Sequence, residues 1–123
     1  MTEPNTAPQP DVIVIGAGPA GLMASEELAK AGYRVLLADA KPSFGRKFLM
    51  AGKSGLNLTK SEAKEIFQAQ FRAAAPPLRP MLEAFGPPQV QAWATGLGQT
   101  LFTGTSGRVF PTAMKASPLL RSW

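Results

Sequence analysis

Three glycines near the start of the chain have a spacing that suits phosphate binding. Gly16, Gly18 and Gly21 form a G-x-G-x-x-G pattern directly after the apolar run 12–15. In this pattern the first glycine allows a tight turn, and the second lets a pyrophosphate approach the backbone. The third lets a helix pack closely on a strand. The free N–H groups and the positive dipole end of such a helix favour phosphate.

An acidic residue stands where a dinucleotide-binding unit needs one. Asp39 follows Gly16 at about the 20-residue offset at which a carboxylate accepts ribose hydroxyls. It directly follows a second predicted strand, 34–38, in which residues 35–38 are apolar, and a helical pattern over residues 19–31 separates the two strands. A glycine-rich turn alone is common, and this context is what makes the pattern specific. The alternative is an ordinary strand–helix–strand unit with an incidental glycine turn.

The elements that position these residues predict an α/β fold. Residues 12–15 are all β-branched, which predicts a strand buried on both faces of a parallel sheet. Pro19 suits the first turn of the helix, and Gly32 is a natural C-terminal stop. The nucleotide-binding unit therefore lies at the start of the chain, after a loose arm over residues 1–10.

Residues 40–58 combine four cations, three glycines and several apolar residues. Two interpretations explain the mixture equally well: a segment lying along a cofactor, with Arg46 and Lys47 near phosphates, or an irregular loop that plugs the base of the sheet. Gly52-Lys53-Ser54 resembles the end of a P-loop. That pattern needs a glycine five residues earlier, where Lys47 stands, so an ATPase or kinase is excluded.

The second half of the chain is predicted to be helical. Residues 59–62, Thr-Lys-Ser-Glu, have the pattern of a capping box, and we expect a helix from there to about residue 74. Pro76-Pro77 would end it. Short helices are expected over 80–85 and 88–95, with Leu82, Phe85 and Trp93 as core anchors.

The last part of the chain is predicted to form a hairpin and a helix start. Strands are expected over 100–102 and 108–110, joined by a turn at 104–107. Ser117-Pro118 indicates the N-terminus of another helix. Because that helix has barely begun at Trp123, and only two parallel strands are visible, we expect residues 11–123 to be the N-terminal, incomplete part of a larger domain.

Composition excludes several classes of site. The 123 residues contain no cysteine and no histidine, so the chain alone supplies no thiolate, histidine triad or Cys/His metal site. The formal charge of +5 suits an anionic ligand; with no nucleic-acid motif, no nucleic-acid partner is expected. The uncharged stretch 12–25 is shorter than a membrane span and lacks the basic flank of a signal peptide. We expect a cytoplasmic protein without a membrane partner.

Three motifs together resemble the bacterial NAD(P)/FAD-dependent oxidoreductases of the BaiN type. They are, in order, Gly16-Ala17-Gly18-Pro19-Ala20-Gly21, then Gly45-Arg46-Lys47 with Asn57-Leu58-Thr59, then Gly107-Arg108-Val109-Phe110-Pro111 with Lys115-Ala116. The first is shared with many flavoproteins, and the later two are more specific. The resemblance implies a Rossmann-like FAD-binding domain, here a βαβ unit with helices and a short hairpin.

The resemblance also implies residue roles. The pyrophosphate would lie on Gly16, Gly18, Pro19, Ala20 and Gly21, and the adenosine ribose on Asp39, beside Ala40 and Lys41. Arg46 and Lys47 would lie toward the phosphates and adenosine, and Asn57 toward the flavin ring. Many members carry three glycines and Arg-Cys before that Asn, and here Gly52-Lys53-Ser54-Gly55-Leu56 precedes it. Chemistry assigned to that Arg or Cys is therefore not carried over.

The expected function is that of the FAD-binding part of a flavin-dependent oxidoreductase acting on an unknown small molecule. NAD(P)H is a candidate electron donor, no residue stands out as catalytic, and the oligomeric state is not predicted. Two alternatives stay open: a nucleotide-binding module or inactive fragment without redox activity, and a fragment of an NAD-binding dehydrogenase.

Overall fold

A computed structural model describes Pro4 and residues 7–123. Part of the predicted arm, positions 1–3, 5 and 6, lies outside the described residues, while Pro4 and residues 7–10 are exposed and belong to no helix or strand. The chain divides into two compact units, Met1–Phe48 and Leu49–Trp123. Each unit is described by itself.

The first unit is the predicted strand–helix–strand arrangement. Strand β1 (Val12–Ile15) and strand β2 (Val35–Ala38) are parallel, with Val12 opposite Val35 and Ile15 opposite Ala38, and helix α1 (Pro19–Lys30) connects them. The N–H of Gly32 donates to the carbonyl oxygen of Ala29 at 3.0 Å, and Gly32 has φ +93°. A residue without Cβ reaches this conformation most easily, so Gly32 ends the helix as the sequence predicts.

The expectation that β1 is buried on both faces is wrong for this chain. Val12 and Val14 are half-buried, but Ile13 is 58% exposed, Ile15 87% and, on β2, Leu36 49%. Successive side chains of a strand point to opposite faces, so one face of the pair is covered and the other is open. The β-branched run predicts that both faces are apolar, but it does not say what covers them.

The second unit begins within helix α2 (Arg46–Ala51), which the sequence did not predict. The elements that follow are strand β3 (Thr59–Lys60), helix α3 (Lys64–Ala69), a 3-10 helix (Arg72–Ala74), helices α4 (Ala75–Ala84) and α5 (Pro87–Gly96), strands β4 (Leu101–Thr103) and β5 (Arg108–Pro111), and helix α6 (Ser117–Ser122).

The predicted hairpin is present, and a third strand joins it. Strands β4 and β5 are antiparallel with Phe102 opposite Phe110, and β3 pairs with the other edge of β5, with Lys60 opposite Arg108. The capping box predicted for residues 59–62 is therefore wrong. The backbone there is held in a ladder, since the N–H of Ser61 donates to Gly107 O at 2.7 Å. Glu62 pairs with Lys60 at 3.2 Å.

The helix predicted from residue 59 to 74 and stopped by Pro76-Pro77 is also wrong. Helix α3 is short, and after it Arg72 has φ +51°, a left-handed conformation that breaks the helical path. The two prolines lie instead in the first turn of α4, where the N–H that proline lacks has no helical partner to lose.

The core of the second unit contains Ala94, Val109 and Leu119, each 0% exposed. Of the predicted anchors, Trp93 packs edge-to-face on Trp123, with ring centroids 4.8 Å apart, and Leu82 is half-buried. Phe85 is 40% exposed and is not a core anchor. Helix α6 begins at Ser117, with Ala116 rather than Ser117 as its N-cap. Among the described residues, every helix is too short or too polar to span a bilayer.

The first unit carries an ion pair whose effect on stability depends on pH. Arg34 donates to Asp11 from Nε at 3.1 Å, from Nη2 at 2.8 Å and from its backbone N–H at 2.8 Å, which joins the starts of β2 and β1. These hydrogen bonds lower the pKa of Asp11 to about 2. An Asp in an unfolded chain has a pKa of about 3.9, so the pair stabilises the fold above that pH and less as the pH falls toward 2.

We therefore expect Asp11→Asn to destabilise the chain at pH 6 and to have a much smaller effect near pH 2.5, as measured by urea unfolding. Glu65→Gln is the control, because Glu65 is exposed and forms no ion pair among the described residues. An Asp11→Asn penalty of the same size at both pH values would contradict this assignment.

Candidate functional site

The glycine turn leaves β1 through a left-handed residue. Gly16 has φ +100°, and its N–H donates to the carbonyl oxygen of Ala38 at 2.7 Å. This bond extends the pairing of β1 with β2 by one residue. The turn therefore starts from a fixed point at the carboxyl ends of both strands, which is where open α/β sheets bind ligands.

Both backbone polar groups of Ala17 are hydrogen-bonded, and these bonds hold the next residue of the loop. Its N–H donates to Oδ2 of Asp39 at 2.7 Å, and its carbonyl oxygen accepts from the N–H of Gly45 at 2.7 Å. The residue is 1% exposed. We call Ala17, Asp39 and Gly45 with these two bonds the loop clamp. It ties the glycine turn both to the end of β2 and to the segment before α2.

Backbone donors stand free at the start of α1. Gly18 is the N-cap without a side-chain cap, Pro19 is the first residue, and the first turn contains no acidic residue. In the described part of the chain, the N–H groups of Gly18, Ala20 and Gly21 have no acceptor, and Leu22 makes the first bond, to Gly18 O at 2.9 Å. A helix N-terminus with open donors suits an anion.

The glycines of the turn are required for different reasons. A Cβ at Gly21 would overlap the carbonyl oxygen of Gly16, so this position needs a residue without a side chain for the helix to pack on the turn. A Cβ at Gly18 would meet no atom within 4 Å, and φ there is −82°, an ordinary value. The apo fold therefore does not require glycine at position 18; the open space fits the close approach of a ligand.

Asp39 is ionised and partly committed to the backbone. Oδ2 accepts from Ala17 and Oδ1 accepts from the N–H of Lys41 at 2.7 Å. These two hydrogen bonds lower the pKa of Asp39, and the charges of Arg46 and Lys41 lower it further. A carboxylate has about four lone-pair sites, so each oxygen retains capacity for a ribose hydroxyl while it holds the loop.

Three cations surround this part of the first unit. Lys41, Arg46 and Lys47 are exposed, and none forms an ion pair with the residues that the structure describes. Arg46 and Lys47 open helix α2, directly after the buried Gly45 with φ +67°. Ala40 is exposed between Asp39 and Lys41. Positive charge without a carboxylate partner favours a phosphate-rich ligand.

The predicted site residues fall into two groups. Those of the first unit form one arrangement around the loop clamp: Gly16, Gly18, Pro19, Ala20, Gly21, Asp39, Ala40, Lys41, Arg46 and Lys47. Asn57 belongs to the second unit, where it is exposed and its N–H donates to Gly55 O at 3.1 Å. Its predicted contact with a flavin ring stays a prediction.

Sequence reasoning missed two members of the loop clamp. Ala17 stands at a variable position of the glycine pattern, and hydrogen bonds of its backbone N–H and carbonyl oxygen have no signature in that pattern. Gly45 was noted only as part of Gly45-Arg46-Lys47. An isolated glycine just before a cationic helix start is a signal for a left-handed turn, and its N–H bond to Ala17 is what the turn produces.

The atoms that this arrangement presents fit the pyrophosphate of a dinucleotide. It offers N–H groups without acceptors, open space above Gly18, an ionised Asp39 and three cations. Within the described residues, no group of three or more acidic residues stands where it could hold a metal. The chemistry of the donors is that of an anion cradle.

Comparison with known families agrees with this geometry. Residues 10–123 match the family described as the HI0933-like protein Rossmann domain. The chain belongs to this family. Its members are FAD-binding, oxidoreductase-like proteins, and the chain is a Rossmann-type FAD-binding domain of such a protein.

Curated relatives match over shorter stretches. The chain is 49% identical over 49 residues to the ribosomal RNA dihydrouridine synthase of Escherichia coli (strain K12), which covers 40% of the chain and 12% of the relative. It is 54% identical over 35 residues to sarcosine oxidase subunit alpha of Corynebacterium sp. (strain U-96), covering 28% of the chain and 4% of that relative. The matches thus span small fractions of much longer proteins.

The two glycines are expected to differ in how much an alanine destabilises the fold. Gly21→Ala should destabilise the chain by about 1–3 kcal/mol, because the new Cβ must displace backbone, even though alanine is the better helix former. Gly18→Ala should cost less than about 1 kcal/mol, the loss of a favourable N-cap residue. Thermal or urea unfolding measures both. Gly96→Ala is the control, since a Cβ there also meets nothing within 4 Å. A Gly21→Ala variant as stable as the native chain would refute the close packing.

Proposed function

We propose that the chain holds the ADP half of FAD on the glycine turn, as the cofactor-binding part of a flavin-dependent oxidoreductase. The observation that carries this proposal is the loop clamp. It ties the glycine turn to Asp39 and Gly45, while the N–H groups of Gly18, Ala20 and Gly21 have no acceptor among the described residues. A preorganised set of donors binds phosphate without first breaking protein hydrogen bonds.

Each proposed cofactor-binding residue of the first unit then has a defined role. The donors of the turn and of α1 bind the pyrophosphate, Asp39 accepts the ribose hydroxyls, and Lys41, Arg46 and Lys47 attract and orient the phosphates. Ala40 lies beside the ribose, and Pro19 fixes the helix start without occupying a donor position. Asn57 is proposed to lie toward the flavin ring. FAD, when bound, supplies the redox chemistry, and no residue of this chain is assigned a catalytic role.

The choice of FAD over NAD rests on the family. Asp39 suits the ribose of either dinucleotide, so the site alone does not separate them. Membership of a FAD-binding family supports FAD. The finer BaiN-type assignment is proposed on the later motifs, Gly45-Arg46-Lys47 and Gly107-Arg108-Val109 among them. NAD(P)H is proposed as the electron donor of the whole protein, and a cytoplasmic location stays a prediction.

The substrate of the whole protein is the least constrained part of the proposal. Relatives are named for two different substrates, sarcosine and ribosomal RNA. A small molecule is the first candidate. An RNA base is the second, favoured by the two relatives named ribosomal RNA dihydrouridine synthase and by the formal charge of +5.

The test of the cofactor assignment is a titration of the chain with FAD, followed by flavin fluorescence, with NAD as competitor. We expect FAD to bind, NAD to compete poorly, and Gly18→Val to abolish binding because its side chain fills the space of the pyrophosphate. Gly96→Val is the matched control, because the Cβ position of Gly96, in helix α5, is equally open.

Three outcomes separate the alternatives. Loss of binding in Gly18→Val, with unfolding unchanged and Gly96→Val normal, supports the cradle. Tight NAD binding without FAD binding would indicate an NAD-dependent dehydrogenase instead. Normal FAD binding by Gly18→Val would show that the pyrophosphate does not lie on this turn.

A further inference from the structure

The three-stranded sheet of the second unit has one buried face and one open face. Val109 and Pro111 of β5 are buried, whereas Arg108 is exposed and Phe110 half-buried. Residues directly opposite one another share a face. The registers therefore put Lys60 with Arg108, and Phe102 with Phe110, on the same side. We call the surface formed by Lys60, Phe102, Arg108 and Phe110 the open sheet face.

Two aromatic rings form one half of the open sheet face. Phe102 and Phe110 are stacked with ring centroids 5.7 Å apart and an interplanar angle of 24°. Phe102 is 43% exposed. Glycines flank the other ring: Cβ atoms placed at Gly55 and Gly104 would lie 3.8 and 3.9 Å from Phe110. The partly exposed Phe102 ring thus stacks on a second ring and presents an apolar plane.

Two cations form the other half. Lys60 and Arg108 are directly opposite each other on neighbouring strands, a placement that is unfavourable for like charges. Glu62 neutralises Lys60 at 3.2 Å, with the Lys60 side chain 46% exposed. Arg108 is exposed and has no carboxylate partner among the described residues. Because Glu62 already offsets the charge of Lys60, a bound anion would pair with Arg108.

Aromatic planes next to cations on a sheet suit one class of ligand. Single-stranded nucleic acid presents flat bases that stack on aromatic side chains and phosphates that pair with Arg and Lys. Arg108 and Phe110 are two residues apart on one strand, so a cation and a ring stand about 7 Å apart along it. A protein partner would use the rings but would need acidic groups for Arg108, and a simple polyanion would not need the rings.

We propose that the open sheet face binds single-stranded nucleic acid, with a base on Phe102 and a phosphate on Arg108. Phe110 holds the Phe102 ring in place, and Lys60 adds positive charge beside Arg108. The proposal differs from the expectation that the protein has no nucleic-acid partner, which stays a prediction. It rests on the geometry of the second unit and does not require flavin binding by the first.

The test uses the full chain and a fluorescently labelled single-stranded oligouridylate, followed by anisotropy over a range of salt concentrations. Phe102→Leu keeps an apolar side chain and removes the stacking ring, and we expect binding to weaken about tenfold or more. Phe71→Leu is its control, since Phe71 is 38% exposed, close to the 43% of Phe102, but lies between α3 and the 3-10 helix.

Arg108→Ala tests the phosphate contact. We expect weaker binding and a shallower salt dependence, by about 0.7 in the slope of log K against log salt for one phosphate lost. Arg121→Ala removes the same charge from the exposed surface of α6 and should leave the slope unchanged. Thermal unfolding of all four variants checks that they fold.

The outcomes are decisive in both directions. Weaker binding in both Phe102→Leu and Arg108→Ala, with native binding in Phe71→Leu and Arg121→Ala, supports the proposal. Absence of binding, equal effects of the two arginine variants, or an unchanged affinity in Phe102→Leu would overturn it. Displacement of the oligonucleotide by FAD would assign the face to the cofactor and also overturn it. FAD titration of the same variants is expected to match the native chain, so failure here is distinct from failure of the flavin assignment.

Discussion

The structure of the candidate site depends on two backbone hydrogen bonds of one buried residue, Ala17. Ala17 donates to Asp39 and accepts from Gly45, each at 2.7 Å. Without them the glycine turn would have the freedom that glycines confer, and ordering it on binding would cost free energy. Asp39 therefore has a structural task in addition to its proposed contact with ribose. The low pKa of its carboxyl follows from the same backbone donors.

The first unit was largely predictable because its rules are local. The glycine spacing, the β-branched run and Asp39 each agree with the same strand–helix–strand arrangement, and the strand and helix bounds follow. The loop clamp was not predictable, because it joins residues distant in sequence through main-chain atoms, which carry no residue-type signal. The exposure of Ile13 and Ile15 was not predictable either, since apolar character does not state what covers a face.

The second unit shows where local rules fail. Residues 59–62 satisfy a capping box by type, yet long-range pairing with β5 holds residues 59–60 as strand β3. Pro76-Pro77 looks like a helix stop, yet it occupies a helix start, because proline disfavours only the turn that precedes it. The hairpin was predictable from the sequence, because its turn residues and its alternation of apolar and polar side chains are local features. Its third strand, β3, brings Lys60 beside Arg108. That pairing joins segments far apart in sequence, so no local pattern predicts it.

The central claim is that the amides at the start of α1 bind the cofactor's pyrophosphate. The most direct measurement is the backbone amide NMR spectrum of the chain during titration with FAD. We expect large, saturable shifts for the N–H groups of Gly18, Ala20 and Gly21, which have no acceptor among the described residues, and smaller shifts for Ala17 and Lys41, whose bonds to Asp39 already exist. FAD binding that leaves these three amides unshifted would contradict it.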